Sequence, residues 1–178
     1  YISLDIPVGI LGLASFLREK GHQIEFFDLQ KLQKELTPVT GDNDKFFLER
    51  EVLPPENFFK TAAARILKKS SFLIGLNTRC DSLPTVINLA RELKARSPEV
   101  LILLGGPQAT FTAQKILKSF PFIDMVIRGE GEIPVLELLT ALEKGKSLRE
   151  VRGLTFRQGK EIVENQKETK WGEKFNEY

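Results

Sequence analysis

The stretch Val100-Leu-Ile-Leu-Leu-Gly-Gly-Pro-Gln-Ala-Thr110 decides the fold. Its first five residues, Val100 to Leu104, form an unbroken apolar run of strand length. Such a run is typical of a parallel strand that is covered by helices on both faces. The two glycines and the proline end this strand, and a helix is predicted from Thr112 to Phe120, with Thr112 as its N-cap. A buried strand that leads through a glycine turn into a helix is the repeating unit of an α/β sheet.

The same alternation of strands and helices continues on both sides of this stretch. Further strands are predicted at Ile24–Phe27, Phe72–Leu76 and Ile123–Ile127, and amphipathic helices at Ile6–Lys20, Phe58–Lys69, Leu83–Arg96 and Pro134–Lys144. Near the end, Leu154–Arg157 and Glu161–Val163 flank Gln158–Gly159, which predicts a β-hairpin. We therefore expect an α/β fold of the flavodoxin-like (Rossmann-like) class, with a doubly wound, mostly parallel sheet and a C-terminal hairpin.

The two ends of the chain depart from that plan. A flavodoxin-like sheet begins with a central strand, but this chain opens on a helix. Because Tyr1 to Leu4 is too short to replace that strand, we expect the first strand to lie upstream of Tyr1. Residues 1–163 are predicted to form one domain. The polar residues 164–178 are predicted to form a linker toward a further domain that is absent from this chain.

Composition excludes several classes of function. There are 26 Lys and Arg against 24 Asp and Glu, so the net charge of +2 gives no basic face for nucleic acid. No apolar run reaches the roughly 18 residues that span a membrane, and no signal-peptide pattern is present. One cysteine, Cys80, and one histidine, His22, allow neither an internal disulfide nor a cluster or metal site built from several of them. We expect a cytoplasmic protein, in which Cys80 is a small buried apolar residue.

Candidate ligand-binding residues lie where strands end, because open α/β sheets bind ligands at the carboxyl ends of their strands. The candidates at the three exits are Asn77, Thr78, Gly105, Gly106, Pro107, Gln108, Gly129, Glu130, Gly131 and Glu132. Glycines there either allow a ligand close to the backbone or merely form turns, and the pattern alone leaves both open. The pair Gly129 and Gly131 is not a dinucleotide fingerprint, because the third glycine is missing.

Four segments, in order, resemble the cobalamin-binding N-terminal domain of cobalamin-dependent radical S-adenosylmethionine enzymes. They are Ile6-Pro-Val-Gly-Ile-Leu-Gly-Leu-Ala-Ser-Phe-Leu-Arg-Glu-Lys-Gly-His22, Ile24 to Asp28, Leu103-Leu-Gly-Gly-Pro-Gln-Ala-Thr110 and Asp124-Met-Val-Ile-Arg-Gly-Glu-Gly-Glu132. The closing hairpin fits as well, so the resemblance covers nearly the whole chain. The Gly-Gly-Pro and Arg-Gly-Glu-Gly-Glu motifs at this separation are its most specific part.

The resemblance implies a corrinoid that lies across the carboxyl edge of the sheet, with its nucleotide tail inserted into the domain. It implies that Gly105 and Gly106 let the tail pass close to the backbone. Asn77 and Thr78 would bind polar groups of the tail or the corrin amides. The loop from Gly129 to Glu132 would line the far wall, although its two glutamates could instead cap the amides of the following helix.

The resemblance also implies a parent enzyme and a mode of cobalt ligation. S-adenosylmethionine and a 4Fe–4S cluster would belong only to an absent C-terminal radical domain, so this chain alone would not catalyse the methyl transfer or cyclisation. Many cobalamin domains carry a histidine ligand in an Asp-x-His-x-x-Gly loop. Here Asp5-Ile-Pro-Val-Gly9 has a proline at that position, and His22 is explained by its place at a helix end. The expected form is base-off cobalamin without a histidine ligand, and no metal ligand is assigned.

Two other functions remain open at this point. One is a flavodoxin-like nucleotide or phosphate site, with Gly105 and Gly106 at a helix N-terminus. The other is a degenerate interaction domain that keeps the fold and binds no cofactor. Asp28, at a predicted strand exit, could touch a ligand or cap the next turn.

Overall fold

The computed structural model describes residues 8–36, 57–69 and 71–166. The helices are α1 (Val8–Glu19), α2 (Leu29–Leu36), α3 (Phe58–Leu67), α4 (Leu83–Arg96), α5 (Pro107–Ser119) and α6 (Glu132–Lys144), with a 3₁₀ turn at Leu148–Glu150. The strands are β1 (Leu73–Asn77), β2 (Leu101–Gly105), β3 (Met125–Ile127), β4 (Leu154–Gln158) and β5 (Glu161–Glu164).

The five strands form one sheet in the order β1-β2-β3-β4-β5. The first three run parallel, with Asn77 opposite Gly105 and Leu103 opposite Met125. β4 and β5 are the predicted hairpin, which joins β3 in the antiparallel direction. The sheet is therefore mixed and is wound by helices, which confirms the predicted flavodoxin-like α/β class.

Each face of the sheet has its own apolar core, because side chains alternate between faces along a strand. On one face, Ile102 and Leu104 of β2 pack with residues of α2, α3, α4 and α5. On the other face, Leu103 and Met125 pack with Leu17 of α1 and with buried residues of α6. This second core, between the sheet and the pair α1 and α6, matters most for the site.

Two of the expected local structures are wrong. Residues 24–27 are not a strand, because no described strand lies beside them to complete a hydrogen-bonded ladder. Helix α5 does not begin at Thr112 but at Pro107, whose fixed φ suits the first helical position, with Gly106 as N-cap. Thr112 lies inside α5 at φ −123° and ψ 16°, and its hydroxyl donates to the Gln108 carbonyl at 2.7 Å. The helix is therefore kinked where its start was expected.

Helix α2 was not expected, and Asp28 explains its start. The Asp28 Oδ1 atom accepts hydrogen bonds from the amides of Gln30 (2.9 Å) and Lys31 (3.2 Å), which is the geometry of an N-cap. Of the two roles left open for Asp28, the structure thus shows the cap. The expectations for residues 1–7 and 167–178 concern parts of the chain outside the described ranges.

Candidate functional site

The three strand exits of interest meet at one edge of the sheet. β1, β2 and β3 are parallel, so their carboxyl ends point the same way, and Asn77 lies directly opposite Gly105. Six of the ten candidates, Asn77 and Thr78 together with Gly105 to Gln108, adjoin one another there, and the loop Gly129–Glu132 follows the neighbouring strand. The sheet therefore brings the candidate residues to one edge, as the sequence predicted.

Gly106 is required by the packing of the protein itself. Its φ is +96°, and a Cβ at this position would lie 2.5 Å from both the Asn77 Oδ1 atom and the Thr78 carbonyl oxygen. No side chain fits there without displacing backbone. Gly106 thus lets the turn after β2 approach the end of β1.

Thr78 holds the same two segments together by hydrogen bonds. Its side chain is fully buried, its hydroxyl donates to the Gly105 carbonyl at 2.8 Å, and the same oxygen accepts the Ala109 amide at 3.0 Å. The Thr78 amide also donates to the Gly105 carbonyl at 2.8 Å. Because the hydroxyl donates to one internal group and accepts from another, Thr78 fixes the amino end of α5 relative to β1.

Beside this junction, the face of the sheet that α1 and α6 cover carries a strip of small or exposed residues, which we call the trough. Its floor is formed by Gly75, Asn77 and Gly105, which alternate along β1 and β2 with the residues of the opposite core. Gly75 and Asn77 are exposed, and a Cβ on Gly75 or Gly105 would meet no described atom within 4 Å. Gly75 and Gly105 thus leave their part of the floor without side chains, and Asn77 is the residue there that carries one.

Helix α1 begins at the same edge. Its Leu13 Cδ2 atom would lie 3.2 Å from a Cβ on Gly131, at the start of α6, while His22 beyond its end contacts Glu143 near the end of α6. The two helices are therefore parallel. The amino half of α1 presents Gly9 and Gly12, where a Cβ would likewise meet no described atom within 4 Å, and it leaves Val8 exposed. This half-helix adds an apolar, small-residue surface at the sheet edge.

The loop after β3 is fixed at its first glycine. Gly129 has φ +91°, and its amide donates to the Thr110 hydroxyl of α5 at 3.0 Å. Glu130 is exposed and Glu132 is half-buried, and within the described ranges neither carboxylate forms a hydrogen bond or ion pair. Gly131 takes the N-cap position of α6 without a side-chain hydrogen bond. The geometry thus leaves both carboxylates at the edge, available to other groups.

Arg128, just before this loop, was not among the candidates. Its side chain is only 9% exposed and donates to Glu164 Oε1 at 2.8 Å and to the Asn165 carbonyl. Burial lowers the pKa of the Arg128 guanidinium, and the Glu164 carboxylate partly offsets that effect. The Arg-Gly-Glu-Gly-Glu motif was visible in the sequence, but the partner of its arginine is 36 residues away and could not be read from spacing.

Pro107 and Gln108 form the first turn of α5, and Gln108 also reaches the turn after β1. The Cys80 thiol donates to Gln108 Oε1 at 3.0 Å, and Cys80 is exposed. The expectation of a buried Cys80 is therefore wrong, because the residue lies in the turn between β1 and α4 rather than in the strand.

His22 lies away from the strand exits. Its Nδ1 atom is 3.3 Å from Glu143 Oε1, eleven residues along α6 from Glu132, or about 16 Å at 1.5 Å per residue. No group of three or more His, Cys, Asp or Glu side chains that could hold a metal ion is found in the described ranges. No helix in those ranges is long and apolar enough to cross a membrane.

Comparisons with known proteins identify relatives of this chain. The curated relatives include an anaerobic magnesium-protoporphyrin IX monomethyl ester cyclase of Synechocystis, 31% identical over 158 residues (89% of this chain and 28% of the relative). An uncharacterized methyltransferase, PH0819, of Pyrococcus horikoshii is 28% identical over 156 residues (88% of this chain and 29% of the relative). The chain therefore spans little more than a quarter of the length of these relatives.

Solved structures share the fold at low sequence identity. The radical S-adenosylmethionine methyltransferase TsrM of Kitasatospora setae, solved with cobalamin and a [4Fe-4S] cluster, superposes with a TM-score of 0.66 at 17% identity, over 90% of this chain and 26% of that one. The cobalamin-dependent S-adenosylmethionine radical enzyme OxsB gives 0.67 at 19% identity, over 93% and 20%. The protein-family model of the B12 binding domain matches residues 5–139, well over half of the sequence. This chain therefore belongs to the family of B12 binding domains.

Proposed function

We propose that this domain holds cobalamin flat across the carboxyl edge of the sheet, with the nucleotide tail of the cofactor in the trough formed by Gly75, Asn77 and Gly105. The observation that carries the proposal is the contrast between two adjacent glycines. A Cβ on Gly106 would clash with Asn77 and Thr78, whereas a Cβ on Gly105 would meet no described atom within 4 Å. The fit of the turn against Asn77 and Thr78 explains the glycine at position 106, but it gives no structural reason for the glycine at position 105.

The residues around the trough suit a large ligand with an apolar body and polar rim. The exposed Asn77 carboxamide can both donate and accept hydrogen bonds at the mouth of the trough. Thr78 acts indirectly, since its hydroxyl fixes the turn of Gly105 and Gly106. Pro107 and Gln108 shape the start of α5, and Gly129 to Glu132 form the wall on the β3 side. The apolar amino half of α1 would face the corrin ring.

We further propose that cobalt has no histidine ligand from this domain. The chain has one histidine, and His22 lies at the opposite end of α6, next to Glu143. The nucleotide base, inserted in the trough, would not reach the cobalt either. The bound form is therefore base-off, with the lower face of the corrin against protein atoms other than imidazole.

In the parent protein this domain would act beside a radical S-adenosylmethionine domain. Relatives named as a methyltransferase and a cyclase are three to four times longer than the matched part, which leaves room for that second domain. In the parent reaction, cobalamin would carry a methyl group or take another chemical role. The residues described above bind and orient the cofactor. S-adenosylmethionine and the 4Fe–4S cluster would belong to the other domain.

The test is direct binding. The protein is mixed with hydroxocobalamin, unbound cofactor is removed by gel filtration, and the visible spectrum of the protein fraction is recorded. We expect about one cobalamin per chain with a base-off spectrum. A protein fraction without cobalamin at micromolar concentrations would overturn the proposal, and a base-on spectrum would overturn the proposed insertion of the tail.

A further inference from the structure

Arg128 ties the end of β3 to the last described residues of the chain. Its guanidinium donates to the Glu164 carboxylate and to the Asn165 carbonyl, and the other oxygen of that carboxylate accepts Gln114 Nε2 of α5 at 2.7 Å. We call residues 164–166 the exit segment. Arg128, the residue that follows β3, thus binds the exit segment, and Gln114 of α5 holds the same carboxylate.

Backbone hydrogen bonds continue this connection. The Arg128 amide donates to the Gly153 carbonyl at 3.0 Å, and the Gly153 amide donates to the Gln166 carbonyl at 2.9 Å. Gly153 has φ +65°, and a Cβ there would lie 2.9 Å from the Arg128 carbonyl oxygen. The Asn165 side-chain amide donates to the carbonyls of Leu148 and Val151, each at 2.7 Å. The exit segment is therefore hydrogen-bonded along its length beside the end of β3.

The loop that follows Arg128 is the wall of the proposed cofactor site. Gly129 comes next in the chain, and its amide is held by Thr110 of α5. Arg128 is held by the exit segment and Gly129 by Thr110 of α5, and no residue separates these two anchors. We therefore expect a displacement of the exit segment to reach the loop through Arg128.

We propose that Arg128 is a positioning residue that couples cobalamin binding at the loop Gly129–Glu132 to the order of the exit segment. This inference rests on the proposed function, and it adds a physical connection between the cofactor site and the exit segment. Coupling between two sites is reciprocal, so cofactor binding should order the exit segment as much as an ordered segment favours binding.

The first test needs no cofactor. In the Arg128→Gln variant, amide hydrogen exchange at Gly129, Gly153 and Asn165 should accelerate about tenfold, while amides of β2 stay protected. The control is Arg157→Gln, because Arg157 is also a partly buried arginine that donates to a backbone carbonyl, that of Leu117, but at the other end of β3. Arg157→Gln should leave the three amides unchanged. Unaltered exchange in Arg128→Gln would overturn the coupling whether or not cobalamin binds.

The second test uses hydroxocobalamin. Its Kd should rise about tenfold in Arg128→Gln and in Glu164→Gln, and by less than about threefold in Arg157→Gln. Arg128→Lys keeps the positive charge but loses the paired hydrogen bonds of the guanidinium, so its Kd should lie between those of wild type and Arg128→Gln. The lysine variant also serves as the test if Arg128→Gln fails to fold. Binding should also slow exchange at Gly153 and Asn165 in wild type. Equal affinities in wild type, Arg128→Lys and Glu164→Gln would overturn the proposal, whereas absent binding to wild type would count only against the cofactor assignment.

Discussion

Gly106 packs against Asn77 so closely that a Cβ on the glycine would lie 2.5 Å from the Asn77 Oδ1 atom. One residue earlier in the chain, a Cβ on Gly105 would meet no described atom within 4 Å. Internal packing requires glycine at position 106, and we propose that access of the ligand to the trough requires it at position 105. These two requirements predict different results when each glycine is changed.

Gly106→Ala should lower the free energy of unfolding by about 2 kcal/mol or more, because alanine is strained at positive φ and the backbone oxygen of Thr78 cannot move away cheaply. Urea unfolding measures this change. An alanine variant as stable as wild type would show that the junction between β1 and α5 is looser than described.

Thr78→Val should cost about 1–3 kcal/mol of stability, because the buried Ala109 amide loses its acceptor and the Gly105 carbonyl loses one donor. Thr78→Ser keeps the hydroxyl and is the matched control, with a smaller loss from the missing methyl group. Equal unfolding free energies for the serine and valine variants would contradict the hydrogen-bonding role.

Asp28→Ala should destabilise the protein by about 1 kcal/mol through loss of the α2 cap, and it should leave cobalamin affinity unchanged. Asp28→Asn retains a capping oxygen and should recover most of the stability. A weaker affinity for cobalamin in both variants would mean that Asp28 touches the ligand after all.

His22→Gln should change neither the visible spectrum nor the electron paramagnetic resonance signal of bound Co(II) cobalamin, because His22 lies at the wrong end of α6. In the wild-type protein that signal should lack splitting from an axial nitrogen. Nitrogen splitting that disappears in His22→Gln would refute the absence of a histidine ligand.

Local patterns predicted most of the fold. The apolar run of β2 and the turn at Gln158–Gly159 are each recognisable from a few consecutive residues. The type and the position of both elements could therefore be predicted from the sequence. The failures depend on neighbours. Residues 24–27 have the composition of a strand but no described partner, and α5 begins at Pro107 because the Gly106 turn fits against β1, which spacing does not reveal.

In the candidate site too, local features could be predicted from the sequence and tertiary contacts could not. Strand exits could be identified because parallel strands end at one edge. Tertiary contacts decide three further features of the site. The Thr78 hydroxyl forms internal hydrogen bonds, Cys80 is exposed, and Arg128 binds Glu164. None of these contacts has a signature at short range in the sequence.

The trough itself is tested most directly by comparing cobalamin with cobinamide, which has the corrin ring but no nucleotide tail. Wild-type protein should bind cobalamin at least about tenfold more tightly, equivalent to about 1.4 kcal/mol. In Gly105→Val, whose side chain would enter the trough, the two ligands should bind with similar affinity while the unfolding free energy changes by less than about 1 kcal/mol. Equal affinity of wild-type protein for cobalamin and cobinamide would contradict the account.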